Sequence, residues 1–104
     1  HDAGQLEEAE ASYRRVLAIE PGYAEVHSNL GHVLASLGRL EEAEASYRRA
    51  LEIKPAYVKA VRGLGDVLHM QGRLEDAVAN FRKALATDPS AATVYNDLGI
   101  ILQR

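Results

Sequence analysis

LEEAEASYRR runs from Leu6 to Arg15, and LEEAEASYRR runs again from Leu40 to Arg49, identical at every position and displaced by 34 residues. Shifting the whole chain by the same 34 residues aligns much more than the decapeptide. Pro21, Pro55 and Pro89 fall in register, as do Gly4, Gly38 and Gly72, and Gly31, Gly65 and Gly99. Apolar positions follow: Leu30, Leu64 and Leu98; Leu34, Leu68 and Leu102; Ala9, Ala43 and Ala77; Tyr13, Tyr47 and Phe81. Self-similarity at a fixed period of this size predicts a stacked array of supersecondary units.

Each unit reads as two helices. From Ala24 to Leu37, residues Val26, Leu30, Val33, Leu34 and Leu37 recur at helical spacing, and Gly38 then supplies a residue that tolerates a left-handed cap. A second helix is predicted from Leu40 to Ile53, with Leu40, Ala43, Tyr47, Ala50 and Leu51 on one face and Pro55 just beyond it. The same patterns recur over Val58 to Gln71 and Leu74 to Thr87. Counting outward predicts six helices, the first over Leu6 to Ile19 and the last over Ala92 to Arg104.

The decapeptide is therefore helix-building material. Its acids come early (Glu41, Glu42, Glu44) and its bases late (Arg48, Arg49), which complements the helix dipole by ~0.3–1 kcal/mol per well-placed charge. Glu10 with Arg14, and Glu44 with Arg48, stand four apart in the favourable order, worth ~0.2–0.5 kcal/mol per pair. Reading the three glutamates as a metal or acid-base cluster is disfavoured, because LEDAVANFRK (Leu74 to Lys83) keeps the charge order but has lost one acid.

Composition bounds the alternatives. A chain of 104 residues with 47% apolar and 26% charged residues is an ordinary globular composition of one domain at most. A net charge of -3 advertises neither a nucleic-acid patch nor an acidic tail. The lack of cysteine removes disulfides, thiolate zinc sites and cysteine nucleophiles, and it favours a cytoplasmic setting without excluding others. No apolar run approaches the ~18 residues of a membrane span, so no membrane partner is expected.

These residues resemble the tetratricopeptide repeat family, whose 34-residue pattern carries W-x-x-L-G-x-x-Y, then A-x-x-x-F, then P. His27, Leu30, Gly31, Leu34, Ala43, Tyr47 and Pro55 fill those positions, and Val61, Leu64, Gly65, Leu68, Ala77, Phe81 and Pro89 fill them again. Departures fall at the first aromatic (His27, Val61, Tyr95) and where leucine stands for tyrosine (Leu34, Leu68, Leu102). The resemblance implies an all-α, right-handed solenoid of antiparallel helix pairs. Residues 1–104 would form one array: 1–23 the second half of a repeat, 24–57 and 58–91 full repeats, 92–104 the first half of another. That frame predicts a segment of a longer array, or else raw ends that bury each other by self-association.

In the family, the first helices of successive units line a concave groove that receives a peptide or a partner's helix. The sequence supplies matching stripes off the apolar seam: Glu25, Ser28, Asn29, His32 and Ser36; Lys59, Arg62, Asp66, His69 and Met70; Thr93, Asn96, Asp97, Ile100 and Gln103. They vary between units while the packing positions repeat. The expected groove residues are Glu25, Ser28, Asn29, His32, Lys59, Arg62, Asp66, His69, Asn96 and Ile100. The family's two-carboxylate clamp is not expected, since Ser28, His32, Gly63 and Thr93 stand where it needs lysine, asparagine and arginine. The asparagine ladder of peptide O-linked N-acetylglucosamine transferases would keep one rung, Asn29, with Gly63 and Asp97 interrupting it. RNA binding in the manner of pentatricopeptide proteins is disfavoured by the acidic balance. Gly63, beside the packing glycine Gly65, reads as tolerated drift or as space for a bulky ligand group.

His32, His69 and Asp66 could share a metal only with a distant further ligand, so neither metal nor cofactor is expected. With no phosphate loop, HExxH or nucleophile elbow, no intrinsic enzyme activity is expected. The function read from the sequence is a protein-interaction scaffold whose partner is a protein or peptide. The alternatives are a substrate-recruiting arm of a larger enzyme such as a glycosyltransferase, and a module that self-assembles through uncovered repeat ends.

Overall fold

The computed structural model describes residues 3–87, which form five α-helices: α1 (Ala3–Ile19), α2 (Ala24–Ser36), α3 (Leu40–Ile53), α4 (Val58–Met70) and α5 (Leu74–Thr87). The bounds of α3 and α5 coincide with those expected, and α2 and α4 stop just before Leu37 and Gln71. The sixth helix expected over Ala92 to Arg104 lies outside the described residues. Helix α1 starts at Ala3 rather than Leu6, so Gly4 sits inside it. At the equivalent Gly38 and Gly72 a preceding helix has to be terminated; at Gly4 none of the described helices precedes, and a helical glycine costs only ~1 kcal/mol relative to alanine.

Two kinds of turn alternate, and each follows from its residues. After α2, Gly38 takes φ 82°, the Gly38 N–H donates to the Ala35 carbonyl (3.0 Å) and the Arg39 N–H to the Leu34 carbonyl (2.9 Å). After α4, Gly72 takes φ 76°, and the Gly72 and Arg73 N–H groups donate to His69 (3.0 Å) and Leu68 (2.8 Å). This paired closure satisfies the last carbonyls of a helix and reverses the chain within three residues. The other turns end on Tyr23 and Tyr57, whose extended backbone starts the next helix. The Lys54 ammonium lies 4.8 Å from the Tyr57 ring centroid, and His27 Nε2 donates to the Pro21 carbonyl at 2.7 Å.

Each helix packs on the next, and α2 also packs on α4, so the first helices of successive units stand side by side. The core joins Leu30 and Leu34 of α2, Ala43, Tyr47 and Ala50 of α3, Ala60, Leu64, Val67 and Leu68 of α4, and Ala77 of α5. Alanines 43, 50, 60 and 77 are fully buried, and their small side chains let the backbones approach closely.

Tyr47 is the wedge between units. Its ring lies where a Cβ on Gly31 would stand 3.0 Å from three ring carbons, and one on Gly63 would stand 2.2 Å from Cζ. The contact recurs at Gly65, where a Cβ would meet Phe81 Cζ at 2.6 Å. Gly63 thus has a packing reason that the sequence did not suggest: its missing side chain makes room for a tyrosine of the chain itself.

An ion lattice repeats outside the core. Arg39, placed by the turn at Gly38, donates to both Glu10 oxygens (2.7 and 3.0 Å) and both Glu42 oxygens (2.8 Å each), while Arg14 reaches Glu10 at 2.9 Å. One period on, Arg73 meets Glu44 (2.8 Å) and Asp76 (2.9 Å), and Arg48 meets Glu44 (3.0 Å). The hydrogen bond from Arg39, reinforced by Arg14, holds Glu10 below the usual carboxylate range, and Arg39 does the same to Glu42. Burial pushes Glu44 up, but hydrogen bonds from Arg48 and Arg73 outweigh it and leave it lowered. Carboxylates lowered on folding stabilise the fold fully above the ordinary glutamate value near ~4.3, and lose that contribution as pH falls through their folded values. Thermal melts between pH 7 and pH 2 should show a melting temperature that drops only below about pH 4.5. A Glu10→Gln chain should lose less over that acid range; an equal acid loss in both would show that this lattice does not couple the units.

Candidate functional site

Helices α2 and α4 leave between them an open cleft of about 410 Å³, lined by Tyr13, Ser28, Asn29, His32, Val33, Tyr47, Lys59, Arg62, Gly63 and Asp66. The repeat explains this grouping. Tyr13 with Tyr47, Ser28 with Arg62, Asn29 with Gly63 and His32 with Asp66 are the same positions of two successive units, so adjacent units bring them to one surface.

Six of the expected residues meet there: Ser28, Asn29, His32, Lys59, Arg62 and Asp66. Glu25 and His69 are exposed but do not line the cleft. Glu25 instead stands close enough to Tyr57 to add to the burial that raises that phenol, and His69 lies in the last turn of α4. Asn96 and Ile100 lie outside the described residues. Ser28, expected on a polar stripe, is 3% exposed, a buried hydroxyl in the cleft wall.

Tyr13, Tyr47 and Val33 were not among the expected groove residues. Tyr47 reads from sequence as packing only, and its ring does pack. Because Gly63 lacks a side chain, the far end of the ring, hydroxyl included, fits against α4 at that point, and Tyr47 is among the residues that line the cleft. The residue is 4% exposed, and that hydroxyl has no hydrogen-bond partner among the described residues. Burial, with the Asp66 charge adding to it, pushes the phenol up to about 12, so it stays protonated and can donate. A signal for this existed: the position is Tyr13 and Tyr47 in two units but Phe81 in the third, so a hydroxyl is present only beside the cleft.

The charges differ from those of the outer surface. Arg14, Arg39, Arg48, Arg49 and Arg73 all pair with acids. Lys59 and Arg62 have no acidic partner among the described residues. A second concavity of about 410 Å³ lies between α3 and α5, but its Arg48 and Arg73 are already held by Glu44. Among the described residues, no group of three or more His, Asp or Glu is placed to hold a metal, and no helix is long and apolar enough to cross a membrane. The cleft thus offers hydrogen-bond donors, acceptors and two uncommitted cations over an apolar floor.

A family model described as tetratricopeptide repeat matches residues 22–90, and one described as TPR repeat matches residues 1–38. Among solved structures, TTC0263, a thermophilic TPR protein of Thermus thermophilus, is similar at a TM-score of 0.83 and 30% identity over 97% of this chain and 52% of its own. Two structures of MamA are similar at TM-scores of 0.77 and 0.76, each 28% identical, covering 86% and 85% of this chain and 52% and 48% of theirs. The chain thus spans about half the length of each. No curated protein matches the sequence.

Proposed function

This chain belongs to the tetratricopeptide repeat family, and from that premise we propose that it is an interaction scaffold binding an extended segment of a protein partner in the cleft between α2 and α4. The family's repeats generally serve as protein-interaction modules. The observation that carries the reading is the clustering of Ser28, Asn29, His32, Lys59, Arg62 and Asp66 in one cleft over a packed floor. The Asn29 amide both donates and accepts, and so can hold a peptide backbone whatever its side chains. A stack already held by Tyr47 and the ion lattice lowers the ordering cost on the receptor side.

A displayed peptide library should enrich sequences on the wild-type chain and lose them on an Asn29→Ala, Arg62→Glu double variant of unchanged helicity. Peptides that bind both chains equally would move recognition out of this cleft.

A further inference from the structure

Beyond the cleft, we propose that the chain assembles head to tail, the uncovered face of α1 being occupied by residues Ala92 to Arg104 of a second copy. The period shows what that face requires. On α3, Ala43, Tyr47 and Ala50 are buried and Ile53 is half-buried. At the same positions of α1, Ala9 and Tyr13 are half-buried, Val16 is 37% exposed and Ile19 is 82% exposed. The difference has one source. Helix α3 packs on both α2 and α4, whereas α1 has α2 in the place of α4 and none of the described helices in the place of α2. The face of α1 therefore fits a helix of the α2 kind.

The stretch Ala92 to Arg104, which lies outside the described residues, carries that kind of sequence. Its Leu98, Gly99 and Leu102 repeat Leu30, Gly31 and Leu34, and Leu64, Gly65 and Leu68. The glycine makes the match specific. Gly31 receives the Tyr47 ring and Gly65 the Phe81 ring, each glycine sixteen positions before its ring. At that spacing the 104 residues hold one ring without a glycine, Tyr13, and one glycine without a ring, Gly99. Tyr13 of one copy set against Gly99 of another completes both. Because the two joined surfaces differ, the contact is heterologous and can repeat in one direction. No ion pair crosses this joint: where Arg39 meets Glu10 and Arg73 meets Glu44, the same offset puts Gln5 of one copy opposite Val78 of the other. Association is thus driven by apolar burial, which salt does not screen. Each joint also sets first helices of two copies side by side as α2 and α4 are, so assembly prolongs the surface that bears the cleft.

The test is sedimentation equilibrium of the full chain over about a hundredfold range of concentration. The average mass should rise from 11.4 kDa and pass twice that value without a plateau. Raising salt from about 50 mM to about 0.5 M should not weaken the association. Val16→Lys with Ile19→Lys puts cations near the end of α1, where the helix dipole accepts them, so the melting temperature should hold. Burying those charges in the joint should weaken association at least about tenfold. Gly99→Leu fills the notch with a better helix former and should weaken association as strongly. An equimolar mixture of the two variants keeps one working joint, so it should reach twice the mass of the chain and stop there. A mass of 11.4 kDa at every concentration overturns the proposal, as does a rise that neither variant diminishes or that high salt abolishes. Assembly of the unaltered chain that stops at a dimer, with no recovery in the mixture, would mean that two α1 faces pair with each other, and overturns it equally.

Discussion

Tyr47→Ala is expected to cost about 3–5 kcal/mol of folding free energy, the range for removing a large buried aromatic side chain. The ring is 4% exposed and joins its own unit to the next, contacting α2 at Gly31 and α4 at Gly63. Because the glycines at those contacts have no side chains to move inward, collapse into the void is limited and the cavity persists. Domains of this size have a total stability of about 5–15 kcal/mol, so the variant should be partly unfolded at ambient temperature or close to it. Urea unfolding followed by circular dichroism measures this directly. Tyr47→Phe separates ring from hydroxyl: since the hydroxyl has no partner among the described residues, its removal should leave stability nearly unchanged. A loss below about 1 kcal/mol for Tyr47→Ala would show that the wedge does not join the units.

Gly63→Ala should destabilise the chain although helix propensity alone favours it by about 1 kcal/mol. The new Cβ would stand 2.2 Å from Tyr47 Cζ and 2.3 Å from Cε1, closer than packed atoms can approach. The ring cannot yield toward α2, because Gly31 already lies against its other side. Overpacking of this kind costs about 1–3 kcal/mol, enough to outweigh the propensity gain. The two effects separate in a double-mutant cycle. In a Tyr47→Leu background the clash is relieved, and Gly63→Ala should become neutral or stabilising. Stabilisation in the wild-type background would mean that Gly63 is an accident of sequence after all.

The fate of Gly63 shows where sequence reading stops. The decapeptide, with glycines and prolines at fixed offsets, places α3 and α5 to the residue, because period and turn chemistry are local properties. The i, i+4 pairs are equally local, and Glu10 with Arg14 and Glu44 with Arg48 form at 2.9 and 3.0 Å as spaced. The bonds from Arg39 to Glu10 and from Arg73 to Glu44 cross between units, and nothing in the composition of either helix announces them. They depend on the turns at Gly38 and Gly72, which aim each following arginine back at the preceding unit. Gly63 belongs to the same class, since its meaning lies in a tyrosine sixteen positions earlier in the chain.

The candidate site divides along the same line. Six expected residues come together because a stripe on one helix and the equivalent stripe on the next must face the same side. Glu25 leaves the cleft because its charge sits near Tyr57, at the turn before α4. Tyr47 joins its lining because the missing side chain of Gly63 on α4 leaves room for the far end of its ring. Periodicity finds faces; it does not find the point where one helix is thin enough for a neighbour's side chain to lie against its backbone.

The most direct test of the account is a ¹⁵N-resolved NMR titration of the chain with the peptide most enriched in library selection. The cleft predicts saturable shifts concentrated at Asn29, His32, Lys59, Arg62, Gly63 and Asp66, with the outer faces of α3 and α5 little affected. Shifts centred instead on Arg48, Glu52, Asp76 and Lys83, in the concavity between α3 and α5, would contradict it and move recognition to the opposite pair of helices.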